Sequence, residues 1–272
     1  MKKRAVSVML TAAMVSAMLA GCGSKNAETQ SAADTTAESA VSGDETSADT
    51  QAADAETTDA SKTDGFDQDF PPMGFVGDDG EFTGFDLEMA AEVAKRLNLT
   101  IAYQPIAWDA KDMELDAGTI DCIWNGFTMN GREDDYEWSK PYMKNNQVFV
   151  VRGDSDINSE ADLAGKNVEV QTDSSAEAAL NDNSELTSTF GSLTPVADYN
   201  TAFMDLESGA VDAIAMDDVV ASYQITSRKA DFKVLDDVIA AEEYGIGFKK
   251  GNTGLRDKVQ ATLEEMAADG TA

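Results

Sequence analysis

Histidine is absent from all 272 residues. No imidazole can serve as base in a Ser-His-Asp or Cys-His arrangement, and none can ligate a metal. Basic residues are scarce as well. Twenty Lys and Arg stand against 51 Asp and Glu, for a formal net charge of −31. That balance argues against nucleic acid as a partner, and it repels anionic lipid headgroups. Between positions 23 and 63 there is no aromatic side chain and almost no large aliphatic one. The Ala, Ser, Thr, Asp and Glu that fill this stretch cannot bury enough apolar surface to offset chain entropy. A flexible acidic tether is expected there, extended by its own repulsion.

The N-terminus has what the tether lacks. Lys2, Lys3 and Arg4 precede an apolar run from Ala5 to Ala20, too short for a comfortable membrane span. Leu19-Ala20-Gly21-Cys22 follows, so residues 1–21 read as a secretory signal peptide cleaved before Cys22. The resemblance of this string to the lipobox of bacterial lipoproteins implies a lipid on Cys22 and an extracytoplasmic, membrane-anchored chain. The alternative is an uncleaved anchor helix. With Cys22 lipidated, Cys122 is the one thiol left, which excludes an intrachain disulfide and a thiolate zinc cluster. No metal and no cofactor is expected. Cys122 falls in an apolar stretch and reads as an inert core residue.

The chain repeats itself once. Met113-Glu114-Leu115-Asp116-Ala117-Gly118-Thr119-Ile120-Asp121-Cys122-Ile123 returns, class for class, as Met204-Asp205-Leu206-Glu207-Ser208-Gly209-Ala210-Val211-Asp212-Ala213-Ile214. Each copy predicts the end of a helix, a glycine stop and a short apolar strand. Two related α/β units follow from such similarity at long period. Ligands of open α/β sheets sit beyond the carboxyl ends of strands. Asn125-Gly126 and Met216-Asp217 therefore become facing walls of one candidate cleft.

Helix and strand patterns alternate through the rest, so the class is α/β. Leu87, Ala90, Ala91, Val93, Ala94 and Leu97 space out a helix from Asp86, with Asn98 as its stop. Leu99–Tyr103, Gln147–Val151, Lys166–Gln171, Lys233–Leu235 and Tyr244–Phe248 read as strands, and Val219–Ser227 and Leu255–Ala268 as helices. Ser174 and Glu177 have the spacing of a capping box.

Five strings in order carry a family resemblance. They are Phe70-Pro71-Pro72-Met73-Gly74-Phe75, Gly84-Phe85-Asp86-Leu87, Gly126-Phe127-Thr128, Arg132, and Tyr244-Gly245-Ile246-Gly247-Phe248. Together they resemble the family 3 solute-binding proteins of ABC importers, which bind polar amino acids on a type II periplasmic-binding fold. The resemblance runs from about Gly65 to Ala272. It implies two lobes joined by two hinge strands, with lobe 1 at 65–148 and 243–272, lobe 2 at 149–242 and the tether at 22–64. It also implies a monomer that delivers a free amino acid to a permease and its ATPase. Two features depart from the family. Ser61-Lys62-Thr63-Asp64-Gly65 is polar where an apolar first strand is usual, and no aromatic-containing helix follows Asp269-Gly270-Thr271. Altered edges of lobe 1 are expected.

A free amino acid presents a carboxylate, an ammonium and a side chain. By resemblance Arg132 grips the carboxylate, as a planar guanidinium can do bidentately. A local ion pair with Glu133-Asp134-Asp135 is the competing reading. Asp217 is the counter-charge for the ammonium, with Asp218 as the other possibility. Thr128, Asn125 and Gly126 would complete these shells. Ser174 and Ser175 would add a helix start facing the anion, unless they only cap the helix. Phe70 and Trp108 match the aromatic walls of the family. Asp67 matches a position that meets the ligand side chain, and Asp69, Asn125 and Gln171 join the lining. Acidic residues there suit a cationic side chain, whereas amides and serines suit a neutral polar one. Fold does not fix function, so a cyclohexadienyl dehydratase-like enzyme and the sensory module of a larger receptor stand as alternatives.

Overall fold

The computed structural model describes residues 61–272. The basic leader, Cys22 and the tether as far as residue 60 lie outside the described residues. Two five-stranded sheets form the frame. The first runs, in spatial order, Thr100–Pro105, Ser61–Phe66, Cys122–Ile123, Gly247–Phe248 and Glu137–Trp138. The second runs Ser192–Val196, Asn167–Gln171, Ala213–Asp217, Met143–Arg152 and Phe232–Tyr244. A small three-stranded sheet of Asp69–Phe70, Gly74–Val76 and Phe82–Thr83 flanks the first.

The two copies of the repeat occupy matching places. Helix Lys111–Ala117 stops at Gly118 (φ 76°) and helix Tyr199–Ser208 stops at Gly209 (φ 78°). Each feeds a strand that lies parallel to its neighbour, Cys122–Ile123 beside Ser61–Phe66 and Ala213–Asp217 beside Asn167–Gln171. The buried faces agree too: Leu115 and Ile120 in one copy correspond to Leu206 and Val211 in the other.

The polar first segment forms a strand after all, and it starts at Ser61, four residues ahead of the expected lobe boundary. It runs parallel to Thr100–Pro105 on one side and to Cys122–Ile123 on the other. Its polar groups, backbone and side chain, find partners on the neighbouring strand and the residues flanking it. Asp64 Oδ1 accepts from Trp124 N at 3.1 Å, and Thr63 N donates to Asp121 Oδ2 at 2.8 Å. Lys62 pairs with Asp121 at 3.0 Å. Hydrogen bonds to the neighbouring strand replace the apolar contacts that a strand in this place ordinarily makes.

Helix Phe85–Arg96 buries Leu87, Ala90, Val93 and Ala94, with acidic residues in its first turn and basic ones in its last, as the helix dipole favours. Together with helix Thr253–Asp269 it covers one face of the first sheet. The second sheet is the more apolar: Phe149, Val150, Val151, Val168, Val170, Ala213, Ile214, Ala215 and Met216 are fully buried.

Two long strands cross between the lobes. Met143–Arg152 and Phe232–Tyr244 pair antiparallel over most of their length. The expected strands Gln147–Val151 and Lys233–Leu235 are thus pieces of longer ones. The pairing of Phe232–Tyr244 slips between Val234 and Ala240, which breaks the alternation that would have revealed one continuous strand. Hydrophobic residues along these strands belong to the cores of both lobes, with Phe70, Met73 and Tyr244 in the same cluster as Val148, Phe203 and Ile214.

Candidate functional site

Four parallel strand ends converge where the lobes meet. Beyond Phe66, Pro105, Gln171 and Met216 come Asp67, Trp108, Ser174-Ser175 and Asp217. The loop after Cys122–Ile123 adds Asn125, Gly126 and Thr128. Between them is a cavity lined by Phe70, Trp108, Asn125, Gly126, Thr128 and Arg132 from one lobe and by Gln171, Ser174, Ser175 and Asp217 from the other.

Gly126 is demanded by its surroundings. A Cβ there would lie 2.8 Å from the Phe70 ring and 3.2 Å from the Tyr244 ring, closer than carbon atoms pack. Its N–H donates to Asp86 Oδ2 at 2.6 Å, and the Tyr142 hydroxyl donates to the same oxygen at 2.8 Å. Burial raises the Asp86 carboxyl to about 7, against those bonds. Asn125 Oδ1 accepts from Asp67 N at 3.1 Å and so ties the loop to the first strand.

Arg132 reaches the cavity along the Phe127 ring, its Cζ 5.4 Å from the ring centre. It donates to two carbonyls, Thr128 O at 3.3 Å and Asp173 O at 3.2 Å. Among the described residues it forms no ion pair, and Glu133, Asp134 and Asp135 are exposed. The guanidinium charge is therefore uncompensated at the cavity wall. Asp217 is the opposite case, a buried carboxylate at 4% exposure. Its Oδ1 accepts from Asn145 Nδ2 and Gln147 Nε2, both at 2.8 Å, and from the Tyr244 hydroxyl at 2.5 Å. Burial and the neighbouring Glu242 raise its carboxyl well above the ordinary range. Asp218, the alternative, is the first residue of helix Asp218–Arg228 and accepts only from Ser222.

The serines divide the two roles considered for them. Ser174 Oγ caps helix Ser175–Asp182 by accepting from Glu177 N at 3.1 Å. Glu177 completes no capping box, because its carboxylate accepts from Asp173 N at 2.6 Å. Ser175 Oγ accepts from Thr128 Oγ1 at 3.2 Å and from Gln147 Nε2 at 2.9 Å, and so links the lobes across the cavity.

Asp67 is set apart from the other ten expected residues. Its Oδ2 accepts from Gln171 Nε2 at 2.6 Å, which leaves the Gln171 side chain between it and the cavity. It lines an adjoining, wider cavity with Asp69, Asp109 and Asp198, and Trp108 stands between the two. Burial raises the Asp67 carboxyl to about 6. Further bonds close the lobes on one another: Asn200 Nδ2 donates to Asp69 Oδ1 at 2.8 Å, and buried Lys111 pairs with Asp173.

Sequence reasoning did not place Asn145, Gln147, Glu242 or Tyr244 at the site. A signal was available, since each pair sits two residues apart on a strand and so faces one side. No group of side chains among the described residues is arranged to hold a metal ion. None of the described helices is long and apolar enough to cross a membrane.

Two lobes, two crossing strands and a cavity with opposite charges on opposite walls define a type II periplasmic-binding fold. Comparison with known proteins gives the family. Residues 63–272 match the bacterial extracellular solute-binding proteins, family 3, and the chain belongs to that family. It is 31% identical over 210 residues to the L-cystine-binding protein TcyJ of Escherichia coli K12, covering 76% of this chain and 77% of the relative. It is 30% identical to the L-cystine-binding protein TcyA of Bacillus subtilis, covering 71% of each. Among solved structures, an ABC uptake transporter substrate-binding protein of Streptococcus pneumoniae with bound histidine superposes with a TM-score of 0.75 at 34% identity, over 77% of this chain and 88% of that one. An ancestral arginine-binding protein bound to glutamine gives 0.71 at 33%, over 78% and 93%. These relatives are binding proteins rather than enzymes, and this chain is a solute-binding protein of the amino-acid class.

Proposed function

We propose that this protein is a monomeric, extracytoplasmic lipoprotein that clasps one free polar amino acid between its lobes and hands it to an ABC permease and its ATPase. In this reading the signal peptide is removed, and a lipid on Cys22 holds the chain to the outer face of the membrane through the acidic tether. Arg132 takes the ligand's carboxylate and Asp217 its ammonium, while Phe70 and Trp108 enclose its aliphatic part. Gln171, Ser174, Ser175, Thr128, Asn125 and Gly126 supply the remaining polar contacts. The observation that carries the reading is the pair of unlike charges, Arg132 and Asp217, on opposite walls of one cavity.

The ligand's side chain extends past Trp108 toward Asp67, Asp69, Asp109 and Asp198. Four carboxylates with no Lys or Arg among the residues lining that cavity favour a distal amino or guanidino group and disfavour glutamate and aspartate. L-Arginine meets that description; L-cystine meets it with its second ammonium, and its second carboxylate must then lie away from those four.

The test is a thermal-shift screen of the chain without its first 22 residues against the common amino acids and cystine. A ligand at 100 times its Kd stabilises the folded state by about 2.7 kcal/mol. A rise in Tm with one or a few amino acids, at one site per chain by calorimetry, supports the reading. A folded protein that responds to none of them contradicts it.

A further inference from the structure

Asp217 has a second carboxylate beside it. Glu242, on the crossing strand Phe232–Tyr244, is 5% exposed. Asn145 Nδ2 donates to Glu242 Oε1 at 2.7 Å as well as to Asp217 Oδ1. Gln147 Nε2 likewise donates to both oxygens, at 2.8 Å each. Two nitrogens that each touch both carboxylates hold those acceptor oxygens side by side.

The cluster is short of hydrogens. The two amide nitrogens carry four, yet they make five contacts, counting Gln147 to Ser175. Gln147 Oε1 is in addition buried without any donor.

No positive charge on the protein offsets the pair. Among the described residues neither Asp217 nor Glu242 takes part in an ion pair. Strand Met143–Arg152 presents neutral Asn145 and Gln147 to them, and its Lys144 is exposed. Strand Phe232–Tyr244 presents Tyr244, and Glu243 beside it is only half-buried. Helix Tyr199–Ser208 contributes Tyr199, whose hydroxyl is raised by burial and by Asp217 and Glu242. Behind Tyr244 stands Tyr142, bonded to Asp86, and helix Asp218–Arg228 adds Asp218. The cation nearest in function is Arg132, on the far wall of the cavity. Two adjacent carboxylates in so dry a place do not both ionise.

We propose that Asp217 and Glu242 act as one acid that holds a single proton, and that the ligand's ammonium confines this proton to Glu242. Glu242 is then a positioning residue that acts through Asp217. The inference rests on the reading above, in which Asp217 meets the ammonium. In the empty cleft either carboxyl of the pair can carry the proton. When the ammonium arrives, the proton is held on Glu242 Oε and Asp217 is left fully ionised opposite the ligand. No proton enters or leaves the protein, and no bond to the ligand is made. Every charge in the closed cleft is then matched: Asp217 by the ammonium, Arg132 by the carboxylate, with Glu242 neutral.

Carbon NMR of the protein labelled at its Asp and Glu carboxyl groups tests this at pH 7. In the ligand-free protein the Asp217 and Glu242 resonances should lie between the protonated and ionised positions and together account for one proton, separately from other buried carboxyls such as Asp86. This sharing should vanish in Glu242→Gln and in Asp217→Asn. If Asp217→Asn does not fold, Glu242→Gln alone decides. Addition of L-arginine, L-histidine or L-cystine should move Glu242 to the protonated position and Asp217 to the ionised one. Calorimetry in two buffers of unlike ionisation enthalpy should then find no net proton release. Two ionised carboxyls in the ligand-free protein, or release approaching one proton per ligand, would overturn the proposal. If none of the three amino acids binds, the functional reading and the transfer step fall together. The ligand-free spectrum still decides whether the pair shares a proton.

Discussion

In the first lobe, helix Lys111–Ala117 and its strand lead to Asn125 and Gly126. In the second, helix Tyr199–Ser208 and its strand lead to Asp217. The two units share their glycine geometry, φ 76° and ψ 20° against φ 78° and ψ 16°, yet they deliver unlike chemistry to the cavity. One presents amide and backbone groups with Arg132 close behind, and the other a buried carboxylate. Had both copies ended in a carboxylate, like charges would have faced one another across the cleft. Divergence confined to strand ends turns a duplicated scaffold into a site that distinguishes the two ends of a zwitterion.

The lobes also differ in where they bury acids. The first encloses Asp64, Asp67 and Asp86 around the loop that carries Gly126, whereas the second holds Asp217 and Glu242 at the cleft and Glu169 apart from it. In the second lobe away from the cleft, Glu169 is raised by burial with Asp205 beside it. Stability that depends on pH therefore arises in both lobes, and the first lobe's share lies around the loop where Asp86 holds Gly126.

The largest effect expected is from Asp217→Asn, which removes the carboxylate that no residue of the first lobe duplicates. Losing one partner of a buried charge pair costs about 2–5 kcal/mol, or roughly 30- to 4,000-fold in affinity, to be read by calorimetry. Unchanged affinity would mean that the two walls are not complementary.

Next comes pH. Folding lifts Asp67 to about 6 and Asp86 to about 7, from roughly 3.9 in an unfolded chain. Both groups hold their protons more tightly when folded. Their contribution is complete below about pH 4 and is lost as pH rises through the folded values. A shift of about two units is on the order of 3 kcal/mol for one such group. The urea midpoint of the ligand-free protein should fall between pH 5 and pH 8, and Asp86→Asn should flatten that slope. Hydrogen exchange should place the part of the loosening that Asp86→Asn removes in the first lobe. If that variant changes protection evenly over both lobes, Asp86 does not act through the loop of Gly126.

Arg132→Ala should weaken binding by about 1.5–3 kcal/mol, the range for hydrogen bonds to charged groups, or about 10- to 150-fold. Its Tm without ligand should stay close to that of the parent, because its hydrogen bonds are two long ones to carbonyls. The smallest effect tests the duplication itself. Gly118→Ala and Gly209→Ala should each cost about 1–2 kcal/mol of stability, equally, with binding intact. Neither added Cβ would meet anything closer than the Arg152 guanidinium at 3.7 Å, so conformational strain alone sets the cost.

Much of this was legible because the signals were local. The repeat, the helix from Asp86 and the helix ending near Ala268 follow from spacing and stop residues. Ten of the eleven residues expected at the site line the cavity; Asn125, Gly126 and Asp217 followed from the strand ends, and most of the others were named through the family resemblance. What escaped notice depended on partners distant in sequence. Ser61–Phe66 looked too polar for a strand because Asp121 and Trp124, some 60 positions away, satisfy its polar groups. The strand Phe232–Tyr244 was hidden by its own irregular register. The spacing of Glu242 and Tyr244 puts both on one side of a strand, but only the pairing of the two crossing strands brings Glu242 to Asp217.

The most direct test of the account is a calorimetric titration of the amino acid that gives the largest rise in Tm, run on the parent, Arg132→Ala and Asp217→Asn under identical conditions. One site in the parent, with binding weakened in both variants and more severely in Asp217→Asn, is the expected result. Parent-like affinity in either variant would show that the amino acid is not held between unlike charges on the two lobes.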